Sequence, residues 1–256
     1  MKRAGAAATL AMVLLGPVVA TTAPGTARAD GAAADQFLVG TVAPRLGTAL
    51  SATGYGGYDS ARGSAVVGAS AELRLVGTLP WLSLRAGFVS VPGDQLNGGI
   101  RPQLGLRAQV LRQDAHGLDA SLGFAYRQDR FSEDGGLFEG LVSAGRTWGR
   151  VGAFANAVFA EDPEGDDREG ALRGAALYRA SDAVNVGFQG GYRRDLGSTD
   201  ARRQVRAQPD YDITAGPVMS WSRGNWLVLV HGGWSGVGRV RLQSGAFALG
   251  ALGAAF

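Results

Sequence analysis

Few residues in this chain are equipped for covalent chemistry. It has two histidines, His116 and His231, and no cysteine. Disulfides and thiolate metal sites are therefore excluded. Serine hydrolysis needs a nucleophile and a base brought together, with a third group orienting the base. His231 lies within an alternating apolar stretch, and Ser220 and Ser222 lie on the segment before it, but no recognisable serine motif surrounds them. His116 sits in the short polar stretch 113–117. No glycine-rich phosphate loop follows a strand and opens a helix, and no zinc spacing occurs. The expectation is a protein without catalytic residues, metal or cofactor.

Charge clusters carry more information. Residues 161–170 hold six acids (Glu161, Asp162, Glu164, Asp166, Asp167, Glu169) and one arginine. Residues 193–210 hold five arginines, among them Arg202, Arg203 and Arg206, and three aspartates. The two stretches are one hairpin apart, so they can attract each other. The guanidinium fork also suits bidentate binding of phosphates, such as those of lipopolysaccharide. Two plainly solvated loops are the simpler reading. Calcium favours carboxylates, but the acidic spacing does not match an EF-hand loop.

These clusters interrupt a regular pattern. Residues 1–29 read as a secretory signal peptide: Met1-Lys2-Arg3, an apolar run from Ala4 to Ala20, and Ala27-Arg28-Ala29 before Asp30. An uncleaved anchor helix is disfavoured by Gly16-Pro17 and by the short length of the run. The signal removes Lys2, Arg3 and Arg28, so 22 of the 25 basic residues remain against 22 acids. The net charge of zero removes the argument for nucleic acid. After residue 29 there is no run of 18 apolar residues, which excludes helical membrane spans. The other fold that satisfies its backbone within lipid is a closed barrel.

Residues 30–45 are a poorly patterned lead, and residues 46–256 break into stretches of about ten residues with period-2 alternation, as barrel strands do. They fall near 46–55, 64–76, 81–90, 103–112, 118–127, 137–147, 150–160, 171–180, 184–194, 211–222, 225–235 and 244–256. In 118–127, Leu118, Ala120, Leu122, Phe124 and Tyr126 oppose Asp119, Ser121, Gly123 and Arg127. Pro217 is a blemish, because it removes a ladder donor. Short connections at 77–80, 113–117, 148–149, 181–183 and 223–224 alternate with longer or more charged ones at 56–63, 91–102, 128–136, 161–170, 195–210 and 236–243. Trp81, Trp148, Trp221 and Trp226 border the short turns, while Trp234, Tyr55, Tyr126 and Tyr192 border the others. Two aromatic belts are what a membrane selects.

The reading is an all-β, transmembrane, antiparallel up-and-down barrel. Signal-peptide export and a closing last strand put both ends in the periplasm, which demands an even strand count. Twelve strands fit, and one miscounted hairpin gives ten or fourteen. The last strand, ending at Phe256, closes the barrel on the segment near 46–55. Both faces of that strand are apolar, so the lumen wall it forms should be the driest. With its signal peptide, short-turn and long-loop rhythm and terminal Phe256, the chain resembles a bacterial outer-membrane β-barrel protein of the porin-like kind. The resemblance implies an outer-membrane lipid environment, and recognition of the terminal strand by the barrel-assembly machinery.

Parity turns Arg74, Arg85, Arg107, Asp119, Glu139, Arg173, Arg179, Arg193, Asp212 and His231 inward, together with Glu72, Gln109, Asn156, Asn185 and Gln189. Arginine outnumbers acid in that set. A narrow passive channel or small-solute transporter with mild anion preference follows, since arginine rings attract anions. The alternatives are a closed structural barrel acting through its outer loops, and a lipid-modifying enzyme. An autotransporter translocator would need an upstream passenger, and about 15 unpatterned residues precede the first strand.

Overall fold

The computed structural model describes residues 50–61, 63–75, 79, 81–90, 100–127, 136–161, 163, 168–197, 211–238 and 242–256. The expected signal peptide (1–29) and lead (30–45) lie outside them. The strands are β1 (Leu50–Asp59), β2 (Ser64–Arg74), β3 (Leu82–Ser90), β4 (Ile100–Leu111), β5 (Asp119–Arg127) and β6 (Leu137–Trp148). They continue as β7 (Val151–Glu161), β8 (Arg168–Arg179), β9 (Val184–Gly197), β10 (Tyr211–Arg223), β11 (Trp226–Gly238) and β12 (Leu242–Ala255). Each pairs antiparallel with its neighbours in sequence, and β1 pairs with β12, so the twelve-strand barrel closes. Closure runs from Ser51 opposite Ala255 to Asp59 opposite Phe247. It extends to the terminus, where Phe256 N donates to Leu50 O at 2.8 Å.

The first strand runs over 50–59, later than the expected 46–55. Residues 56–59 and 236–238 belong to strands, so the strands reach into two of the expected outer loops. The other end has the short turns. Gly149 (φ 56°) and Gly224 (φ 57°) each take the first position of a two-residue turn, where hairpin twist favours a left-handed residue. Between β4 and β5 the chain makes a four-residue helix, α1 (Gln113–His116). Gln113 imitates a strand here: its amide donates to Thr147 O and accepts from Thr147 N, both at 2.8 Å, while its backbone N–H reaches Asp119 at 2.8 Å.

The outward faces are apolar. Leu104, Leu122, Phe124, Val142, Leu172, Phe188, Met219 and Val230 are all exposed there, as a lipid-facing band requires. Trp81, Trp148, Trp226 and Phe256 are exposed at the short-turn end, and Trp234, Tyr126 and Tyr192 toward the other. Tyr55 departs from the expected belt. It points inward and is buried, and Tyr58 takes the outward position instead. Because β1 runs on to Asp59, Tyr55 lies within the strand and not at its outer end. Pro217 faces outward, and its carbonyl accepts from the His231 ring at 3.0 Å.

Candidate functional site: the barrel lumen

Because directly opposed residues of an antiparallel pair share a face, the register sorts every side chain into lumen or lipid side. Arg74, Arg85, Arg107, Arg173, Arg179 and Arg193 all face the lumen. So do Asp119, Glu139, Asp212 and His231. Two inward carboxylates were hidden from the sequence reading, Asp59 and Glu169, because both had been placed in loops. With them, and with Glu72, six inward carboxylates stand beside the six inward arginines named above.

The long side chains are accommodated by small neighbours. One lateral row runs Glu72, Arg85, Gly105, Ala125, Glu139 across β2 to β6. A second runs Arg74, Ser83, Arg107, Gly123, Leu141. A third runs Ser121, Ser143, Asn156, Arg173, Gly191, Thr214, Ser235. In the third row a Cβ on Gly191 would meet Arg173 Cγ at 3.4 Å, so the arginine stem lies along the wall beside that glycine. Ser83, Ser121, Ser143 and Ser235 are almost fully covered. Arg85, Glu139, Arg173 and Asp212 keep part of their surface open to the bore.

Hydrogen bonds tie this lining together. Ser83 Oγ donates to Glu72 Oε1 at 2.5 Å, and Arg107 Nε donates to Ser121 Oγ at 3.1 Å. Arg193 Nη2 donates to Glu169 Oε2 at 2.5 Å, and Ser235 Oγ donates to Asp59 Oδ1 at 2.6 Å. Glu139 is a charged neighbour of both Arg85 and Arg173. Arg173 also feels Asp212 and Glu169.

The wall made by β11, β12 and β1 is different. Tyr55, Leu249 and Ala251 are buried with Val89 in one inward cluster, flanked by Val66 and Leu229. The expected dry wall of the last strand is therefore present. His231 belongs to this region, with its ring edge-on to Phe247 at a centroid distance of 4.7 Å. A carbonyl can only accept, so the bond to Pro217 O places the His231 proton on Nδ1. Ser220 accepts from Asn185 Nδ2 at 3.2 Å, and its directly opposed residue on β11 is Leu229, not His231. The structure thus gives Ser220 and His231 separate partners and assembles no serine–histidine pair from them. His116 sits in α1, exposed, against the Arg112 backbone.

Of the outer charge clusters, only the strand-borne members are described. Glu161 pairs with Arg168 at 2.8 Å on the outward face. Glu169 and Arg193, one from each cluster, form the inward ion pair at 2.5 Å. Asp162, Glu164, Asp166, Asp167, Arg202, Arg203 and Arg206 lie outside the described residues.

No protein-family model and no curated protein sequence matches the chain. Among solved structures it is similar to the NanC porin, with 11% identity over 80% of this chain and 98% of that one, and a TM-score of 0.54. It is similar to the KdgM porin, with 10% identity over 80% and 99% of the two chains and a TM-score of 0.53. A KdgM porin structure in complex with disordered oligogalacturonate matches at 11% identity, with the same coverage and TM-score. At this identity the likeness is one of fold, and the fold is that of the outer-membrane porins.

Proposed function

We propose that this chain is a narrow passive channel of the bacterial outer membrane, without cofactor, carrying small polar solutes with a mild preference for anions. One observation carries the reading. Every described residue belongs to the barrel wall or to a turn at its rim, and the polar side chains lie along that wall over glycine and alanine gaps. Twelve strands enclose more space than the eight whose interior side chains fill. The fold shared with the NanC and KdgM porins supports the same reading. With carboxylates as well as arginines facing inward, any anion preference is a matter of where the arginines sit, because guanidinium arms reach further from the wall than carboxylates.

Export by the signal peptide of residues 1–29, assembly through the strand ending at Phe256 and outer-leaflet contact with lipopolysaccharide complete the proposal. A closed structural barrel is the second reading, favoured by the apolar cluster of Tyr55, Val89, Leu249 and Ala251, which takes up one side of the lumen. Single-channel recording in a planar bilayer under a salt gradient separates the two. The channel gives discrete conductance steps and a reversal potential displaced toward the anion limit. A silent barrel overturns it in favour of the closed one.

A further inference from the structure

The row Glu72, Arg85, Gly105, Ala125, Glu139 has a gap in its middle. Gly105 and Ala125 separate Arg85 on β3 from Glu139 on β6, three strand spacings or about 14 Å along the wall. A Cβ on Gly105 would stand 3.0 Å from Ala125 Cβ, so the glycine keeps this part of the wall at backbone level. The result is a depression bordered by Arg85, Arg107, Gln103, Ser70 and Glu139.

Its two ends carry opposite charge. Arg85 stands at one end, and Arg107 joins it there, one inward position from Gly105 on β4. Glu72, which opposes Arg85 directly, lies behind it, away from the depression, and accepts from Ser83 Oγ. Arg107 is braced in turn by its bond to Ser121 Oγ. Glu139 stands at the other end. The residues directly opposed to it are Ala125 and Ala160, and its inward neighbours on β6 are Leu137 and Leu141. Its carboxylate therefore meets the arginine end across a stretch of wall that carries no long side chain.

Ser70 makes a second, independent observation. It is only 8% exposed, its Oγ has no hydrogen-bond partner among the described residues, and it borders the same depression at the arginine end. Buried hydroxyls are ordinarily satisfied, and a polar solute seated here would satisfy this one.

We propose that the depression is a binding subsite for small zwitterions with the chemistry of a free α-amino acid. The solute carboxylate lies toward Arg85 and Arg107, whose guanidinium groups suit it, and accepts from Ser70 Oγ. The ammonium, a donor only, lies toward Glu139. Tyr55 and Leu141 border the same opening and offer apolar surface to the side chain of the solute. A simple anion gains at the arginine end and is repelled at the other. A zwitterion gains at both.

The subsite rests on the channel reading for its role in transport, and two measurements keep their failures apart. The probe is alanine, compared with lactamide, its uncharged isomer, and with lactate, which keeps only the carboxylate. Each is titrated at matched ionic strength against single-channel current and against the Tm of the detergent-folded barrel. Alanine should lower the current saturably and raise Tm with the same half-saturation, while lactamide does neither. Glu139→Gln should weaken alanine about tenfold and leave lactate bound at least as well as in the wild type. Arg85→Gln should weaken both, and Ser70→Ala should weaken alanine by less than Glu139→Gln. A silent wild-type barrel overturns the channel reading alone, because the Tm series still reports on the subsite. The subsite is overturned if alanine has no saturable effect on Tm, if lactamide or lactate binds the wild type as tightly, or if Glu139→Gln binds alanine unchanged.

Discussion

The ring of Tyr55 occupies the space over Gly68, its directly opposed partner on β2; a Cβ at Gly68 would sit 2.3 Å from Tyr55 Cζ. The glycine is there because the tyrosine turns into the lumen. Tyr55→Ala should lower the stability of the detergent-folded barrel by about 3 kcal/mol, the usual cost of emptying an aromatic site. It should also raise single-channel conductance, because the apolar cluster narrows the bore on that side. Gly68→Ala forces the ring aside and should destabilise while leaving its bulk in the lumen.

The Arg193–Glu169 pair allows a test of sign. Both partners keep some exposure, with side chains 34% and 19% accessible, so the pair should contribute only about 1 kcal/mol. Arg193→Gln and Glu169→Gln should therefore lower Tm slightly and in the same direction. Their effects on reversal potential should be opposite, toward cations for Arg193→Gln and toward anions for Glu169→Gln. Equal shifts in one direction would place the pair away from the ion path.

Lipid and lumen faces differ in what they tolerate. Phe188 is exposed in the middle of β9, and Trp226 is exposed at the short-turn end of β11. Arginine at the bilayer midplane costs about 2–4 kcal/mol, falling to about 0–1 near an interface. Phe188→Arg should destabilise the lipid-folded barrel far more than Trp226→Arg in a denaturant titration. Equal costs would contradict the assigned belts.

Much of the wall was legible because alternation and turn chemistry are local. The strands from 118 to 194 carry clean period-2 patterns, and their bounds moved little. The start was harder. Around Gly54-Tyr55-Gly56-Gly57 glycine erases the alternation, so β1 lies four residues later than expected and Tyr55 falls within it. Asp59 was missed because β1 ends four residues later than expected, and Glu169 because β8, at 12 residues, begins inside the acidic stretch. The lining rows could not be read at all. That Arg85 shares a row with Glu139 depends on the registers of three successive hairpins, which no single strand encodes.

Phe256 joins the wall through backbone bonds with Leu50 in both directions. Its removal deletes only the last rung of the closure. Deleting Phe256 should slow or reduce assembly in cells, while the fraction that folds melts close to wild type. Normal assembly with a sharply lowered Tm would make the residue structural instead of a recognition signal.

The central claim is that the odd-numbered face of β8 lines a wet passage and its even-numbered face meets lipid. The chain has no cysteine, so a single introduced thiol is unique. Ala175 is opposed by inward Phe154 and Gln189, and Ala176 by outward Ala153 and Phe188. Single-channel current should be recorded for Ala175→Cys and Ala176→Cys before and after a charged, membrane-impermeant thiol reagent. The account predicts a stepwise loss of current for Ala175→Cys and none for Ala176→Cys. Current that is absent in both, or unchanged in both, would contradict it.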